Sequence, residues 1–91
     1  MLDLAAHTEL HEAWTKVALA ETLLTQGQYK DAHEALLDAE HHYQCARSVS
    51  TFAHLSSILD KLADLRIRLD QIRSAIKIKS GTLERHAGLN Q

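Results

Sequence analysis

Histidines spaced one helical turn apart are the side chains most suited to chemistry in this 91-residue sequence, which contains seven histidines. His7 and His11 could bind one metal ion together if they lie on a helix. The order His-Thr-Glu-Leu-His differs from the HExxH arrangement of zinc proteases, and no third ligand is implied locally, although Glu12 is nearby. We therefore interpret His7 and His11 as solvent-facing side chains.

A second cluster contains His41, His42 and Cys45, in which the cysteine follows the two histidines by four and three residues. Imidazole and thiolate suit a soft metal, but two ligands from one helix do not complete a tetrahedral site. We expect structural or surface roles here too. The sequence therefore predicts neither a metal site nor a cofactor.

The rest of the sequence lacks the usual signatures of catalysis. It contains no Ser-His-Asp set, no glycine-rich phosphate loop and no pair of carboxylates spaced for acid–base work. We expect no catalytic residue and no enzymatic activity. A row of basic residues could contact phosphates, but such a row more often forms a solvated helix flank, so we do not expect nucleic acid as a partner. This row consists of Arg66, Arg68, Arg73, Lys77 and Lys79.

The chain has no proline, three glycines and 45% hydrophobic residues, a composition that is typical of helical proteins. We therefore expect helices to position all of these side chains. A chain of this length forms one domain. Residues 1–46 contain eight acidic and two basic residues, whereas residues 47–91 contain four acidic and eight basic ones. This asymmetry suits antiparallel packing of the two halves, or contact with a second copy.

Apolar residues recur at three- and four-residue steps in three segments, which predicts three helices. The first is expected over about Leu4–Gln26, where Gly27 ends it. The second is expected over about Tyr29–Val49. Ser50 or Thr51 would then cap the N-terminus of the third helix.

The third helix is predicted over Phe52–Lys79, and its apolar residues follow an unbroken heptad pattern. These residues, called the seam below, are Leu55, Ile58, Leu62, Leu65, Leu69, Ile72 and Ile76. Asp64 is expected to pair with Arg68 one turn later. Ser80 and Gly81 are expected to end the helix, so we predict a single helical domain over residues 1–79 and a flexible tail over residues 80–91.

The turn between the first two helices carries the pattern of a known family. The segment ALAETLLTQGQYKDAHEALLDAE resembles one tetratricopeptide repeat, a helical hairpin that stacks on its neighbours. Gly27 permits the tight turn, Ala20 and Ala32 allow close helix approach, and the larger residues fill the space between the helices. The matching residues are Leu19, Ala20, Leu23, Gly27, Tyr29, Ala32, Leu36 and Ala39.

Two positions depart from this family. Lys16 stands where an aromatic residue is preferred, and Gln44 stands where proline often terminates the second helix; a plain antiparallel hairpin could give the same pattern. The resemblance implies a groove that holds a peptide or helix of a partner. By size and architecture the chain is also similar to the small tetratricopeptide-like chaperones of bacterial secretion systems, which sequester an aggregation-prone subunit.

His54 suggests a different class of protein. The lactose-type phosphocarriers of the sugar phosphotransferase system are three-helix subunits of similar length, with a phosphorylated histidine in the third helix and an aspartate three residues later. This chain is similar in its length and in the position of His54, but Ser57 stands where the aspartate is required. A histidine phosphocarrier therefore remains an alternative function.

The expected fold is an all-α antiparallel three-helix bundle, with a tetratricopeptide-like hairpin and a longer third helix. A helix of about 28 residues spans roughly 42 Å, against about 33 Å for one of about 22 residues. The distal seam should therefore overhang and bind a partner, although burial inside the bundle is a competing interpretation. The predicted partner-binding residues are Leu65, Arg66, Leu69, Ile72, Arg73 and Ile76.

We accordingly predict a non-catalytic protein-interaction module, an adaptor or small chaperone that binds a helix of another protein. A self-assembling helical component, which binds a second copy of itself, is an alternative. The single cysteine, Cys45, favours a reducing compartment. The N-terminus lacks the pattern of a secretory signal, and no segment is long and apolar enough for a membrane span. We expect a cytoplasmic protein without a membrane partner.

Overall fold

The computed structural model of the chain is an all-α bundle of three helices, and it describes the backbone of residues 2–89 and the side chains of residues 3–79. Helix α1 spans Leu2–Thr25, α2 spans Tyr29–Phe52 and α3 spans Ser56–Leu89. The bundle is elongated, with extents of 56 × 16 × 14 Å. As the sequence predicts, the third helix is the longest, with 34 residues against 24 in each of the others.

Side-chain pairs between the helices show that consecutive helices run antiparallel. Between α1 and α2, Glu9 contacts His42 while the later Lys16 contacts the earlier Asp38. Between α2 and α3, Tyr43 lies beside Arg66. Glu40, one turn before Tyr43, pairs with Arg73, about two turns after Arg66. The charge asymmetry of the sequence is thus used within the bundle, where acidic residues of the first two helices face basic residues of α3.

The hairpin of α1 and α2 is packed closely because small residues line its interface. Ala20 and Ala32 have no exposed surface, and Leu36 is buried between the helices. Tyr29, the first residue of α2, is only half-buried. Ala20, Ala32 and Leu36 agree with the hairpin expected from the repeat-like pattern, but Leu19, one of the larger residues expected to fill the space between the helices, is exposed. The three buried residues are also what any closely packed antiparallel hairpin requires, so the tetratricopeptide resemblance itself stays a prediction.

The turn after α1 is a Schellman motif built on Gly27, in agreement with the sequence. The backbone N–H of Gln28 donates to the carbonyl oxygen of Leu23 at 2.9 Å, and the N–H of Gly27 donates to that of Leu24 at 3.1 Å. Gly27 adopts φ +78°, in the left-handed region, and a Cβ there would meet no atom within 4 Å. Glycine is therefore needed for its backbone conformation and not for close packing.

The turn after α2 repeats the same motif with a different residue. The N–H of Leu55 donates to the carbonyl oxygen of Ser50 at 2.8 Å. The N–H of His54 donates a longer hydrogen bond, of 3.4 Å, to the carbonyl oxygen of Thr51. His54 takes the left-handed position with φ 55°. The expectation that Ser50 or Thr51 caps the third helix is wrong, because both lie inside α2, and α3 begins only at Ser56.

Helix α3 also continues beyond its predicted end. Its backbone remains helical through Ser80 and Gly81 to Leu89, so the predicted stop is wrong. A glycine inside a helix costs about 1 kcal/mol relative to alanine, which neighbouring helical residues can offset, and it ends a helix only where the chain turns into the left-handed region. The prediction of a flexible tail also covers the side chains of residues 80–89 and the two terminal residues, Asn90 and Gln91. These lie outside the described part of the chain.

Candidate functional site: the outer face of helix α3

The seam of α3 belongs to the core of the monomer. Leu65, Leu69 and Ile72 are buried, and even Ile76 exposes only 8% of its surface. The expected exposed overhang is wrong at these residues. Because α3 begins at Ser56, Ile76 follows its first residue by 20 positions and still lies within the length of the 24-residue helices beside it. Burial inside the bundle, the competing interpretation, is what the structure shows.

The two arginines predicted to bind a partner attach α3 to α2 instead. Arg73 donates a hydrogen bond to the Glu40 carboxylate. The Arg66 guanidinium lies 5.9 Å from the centre of the Tyr43 ring and 3.4 Å from the Asp70 carboxylate. Interaction with the Tyr43 side chain, followed by the charge of Asp70, raises the pKa of Arg66. Both side chains line a polar cleft between α2 and α3, where they already have partners.

Arg68 reaches the other neighbouring helix. Its guanidinium lies 3.4 Å from the Glu21 carboxylate of α1, so the predicted pair with Asp64 is not formed. Among the described side chains, Asp64 takes part in no ion pair. Arg68 thus pairs with a carboxylate of α1, Glu21, and not with Asp64 on its own helix.

The side of α3 that points away from the bundle carries exposed isoleucines. Ile67 and Ile78 have 58% and 67% of their surface exposed, and with Gln71 and Ser74 they follow a 4-3-4 spacing. At about 100° per residue, this row lies about 180° from the seam. These four residues, called the outer face below, form a shallow depression together with the adjoining Asp70 and Ala75.

Charged residues border the outer face on both sides. At about 100° per residue, Asp64 and Lys79 lie along one flank, and Asp70 and Lys77 lie along the other. All four are exposed. Of these four residues, the acidic one precedes the basic one on each flank. Arg66 and Arg68 lie on the same flanks near Asp70 and Asp64, so the start of α3 carries both charges and the part near Lys79 is basic.

The first histidine pair behaves as predicted, with both side chains facing solvent. His7 Nε2 lies 3.9 Å from the Asp3 carboxylate on the same helix. No group of three or more His, Cys, Asp or Glu residues in the described part of the chain is placed to hold a metal ion.

The three residues of the second cluster, His41, His42 and Cys45, take part in two separate contacts. The Cys45 thiol lies 3.8 Å from His41 Nε2 on the surface of α2. His42 turns toward α1, where its Nδ1 lies 2.6 Å from the Glu9 carboxylate in a partly buried contact. The role of His42 is thus structural, since it joins the two helices of the hairpin. Nothing in the local spacing indicated Glu9 as its partner.

His54 lies outside the third helix, in the link between α2 and α3, and is exposed. Its placement therefore differs from that of the phosphorylated histidine in the phosphocarriers to which the chain was likened. The left-handed backbone conformation at this position serves the turn.

Comparisons of the chain with protein-family models, with curated proteins and with solved structures give no match. In the described part of the chain, no helix combines the length and the apolar character that crossing a bilayer requires.

The spacing of apolar residues in the sequence drew attention to the seam, and the outer face was missed. The available signal was the spacing of Ile67 and Ile78, since eleven residues correspond to three helical turns. It was overlooked because the seam offered a longer and more regular row of aliphatic residues. A regular heptad row identifies an apolar contact without saying whether the contact is made within the chain or with a partner.

Proposed function

We propose that this chain is a non-catalytic interaction module, an adaptor or small chaperone that binds an α-helix along the outer face of α3. The observation that supports this function is the exposure of Ile67 and Ile78 on one straight side of a long helix. Each turns an aliphatic side chain to water, which is unfavourable by roughly 25 cal/mol per Å² of apolar area. A partner that covers both would remove this cost.

The shape of the outer face favours a helical partner. Two isoleucines separated by three turns, with the polar residues Gln71 and Ser74 between them, present the periodicity that a second helix matches with its own side chains. A tetratricopeptide-like hairpin with an additional helix suits this role. The single Cys45, which is free, is compatible with a reducing compartment such as the cytoplasm.

The proposal can be tested by photo-crosslinking in the native cell. A benzophenone amino acid replaces Gln71 in one variant and the exposed His33 of α2 in a control variant. We expect an adduct from position 71 only, attached to a helical segment of the bound chain when the linked peptides are sequenced. The adduct should be lost when Ile67→Asp and Ile78→Asp are added. Equal adducts from both positions, or none from position 71, would contradict the proposed surface.

A further inference from the structure

We propose that the helix bound at the outer face is α3 of a second copy, packed antiparallel about a two-fold axis that passes between Gln71 and Ser74. This inference rests on the proposed function and names its partner. Two-fold symmetry is the commonest way in which a soluble chain associates with itself, because one patch then serves on both subunits. The outer face has the self-complementarity that such a contact requires.

The apolar residues set the register. With the axis midway between Ile67 and Ile78, each Ile67 lies opposite Ile78 of the second copy, so the contact contains two isoleucine pairs. Gln71 then lies opposite Ser74 of the second copy at the centre. Neither side chain is branched at Cβ or aromatic, so the two helices can approach, and their polar groups can bond to each other across the axis.

The charges agree with this register. In an antiparallel pair related by a two-fold axis, equivalent flanks face each other. Asp64 therefore meets Lys79 of the second copy on one side, and Asp70 meets Lys77 of the second copy on the other. In both pairs the two Cα positions differ by about 3 Å along the helix axis, which long lysine side chains easily span. The symmetry repeats each pair, so four opposite-charge contacts surround the isoleucines.

Arg66 and Arg68 lie at similar heights to these lysines along the paired helices. Arg68 is already ion-paired at 3.4 Å with Glu21 of its own chain, so Asp64 is left for Lys79 of the second copy. The Asp70 carboxylate, 3.4 Å from Arg66, faces both Arg66 and Lys77 of the second copy. A parallel arrangement is disfavoured, because opposite flanks would then face each other and Lys79 would lie beside Lys77 of the second copy.

The first test is sedimentation equilibrium of the full chain over a range of concentrations up to the millimolar range. One helix against one helix is a small contact, so we expect a reversible, concentration-dependent dimer. Ile67→Asp with Ile78→Asp should remove detectable dimer while leaving the helical circular dichroism unchanged. The matched control is Leu37→Asp, which places the same charge on an exposed leucine of α2 and should leave dimerisation unchanged.

The second test exchanges charges and reports the register itself. Asp64→Lys alone and Lys79→Asp alone should each weaken self-association about tenfold, since each creates two like-charge contacts per dimer. A mixture of these two variants should associate like the wild type. In the mixed dimer, one chain carries a positive charge at both positions and the other carries a negative charge at both, so every contact between the positions joins opposite charges. Weakening in each single variant together with recovery in the mixture is expected only if residues 64 and 79 face each other between copies.

The outcomes separate this inference from the proposed function. A wild-type chain that is monomeric at high concentration overturns the self-pairing, and so does a mixture that fails to recover association. If the crosslink at position 71 then identifies a different protein, the proposed function stands without a second copy. If no crosslink forms at position 71 either, both proposals are wrong.

Discussion

At the scale of single residues, the link between α2 and α3 contains one unfavourable backbone conformation. His54 adopts φ 55°, a region that glycine enters without a steric penalty and that other residues enter at a cost of about 1 kcal/mol. His54→Gly should therefore raise the stability of the fold by about 0.5–1 kcal/mol, or the melting temperature by a few degrees.

The first turn supplies the matched control for His54. Gly27→Ala should destabilise the chain by about 1 kcal/mol, although the added Cβ would meet no atom within 4 Å, because the penalty lies in the backbone conformation. Urea denaturation of the two variants measures both effects. If His54→Gly lowered stability, the histidine side chain would have a structural role of its own.

A second residue-scale prediction concerns a buried hydroxyl. Ser50 has no exposed surface, and its Oγ has no hydrogen-bond partner in the described part of the chain. A buried polar group without a partner costs roughly 1–3 kcal/mol. Ser50→Ala should therefore stabilise the fold by up to about 1 kcal/mol, as measured by thermal unfolding. The control is Ser48→Ala, at an exposed position of the same helix, which should change stability by only a few tenths of a kcal/mol. A clear loss of stability in Ser50→Ala would instead show that the Ser50 hydroxyl has a hydrogen-bond partner.

At the scale of elements, α3 has two apolar sides with different roles. The seam packs against α1 and α2, whereas Ile67 and Ile78 face away from them. Burying a carboxylate in the seam would cost several kcal/mol, comparable to the whole stability of a domain of this size.

Two double variants distinguish the sides of α3. Ile72→Asp with Ile76→Asp should unfold the entire chain, because both side chains lie in the shared core. Ile67→Asp with Ile78→Asp should leave the fold intact. Circular dichroism and thermal unfolding compare the two directly. A folded hairpin that survives the seam substitutions would show that α3 is not required for the stability of α1 and α2.

At the scale of the whole molecule, the proposed pairing predicts a specific disulfide pattern. In a Cys45→Ser background, a mixture of Gln71→Cys and Ser74→Cys chains should oxidise mainly to the mixed dimer, since these positions lie opposite each other in the antiparallel register. Parallel pairing would instead join position 71 to itself and position 74 to itself. Mass spectrometry of the oxidised products measures the ratio, and a statistical mixture would contradict a defined register.

Much of the fold was accessible from the sequence because it depends on local rules. The periodicity of apolar residues placed the helices, and Gly27 placed the first turn because its left-handed conformation is a property of the backbone. The second turn could not be placed in this way. Histidine occurs in the left-handed region but marks it far less specifically than glycine, and Ser50 and Thr51 resemble a helix cap although they lie within α2.

The sequence by itself determined that this chain is helical, that its first two helices form a hairpin around Gly27 and that its third helix carries a heptad seam. Only the tertiary structure decided that the seam is internal, that Arg68 pairs with Glu21 and that the outer face of α3 faces solvent. The physical reason is that a helix can present two apolar rows, and their burial depends on the lengths, start points and side chains of the helices packed beside it.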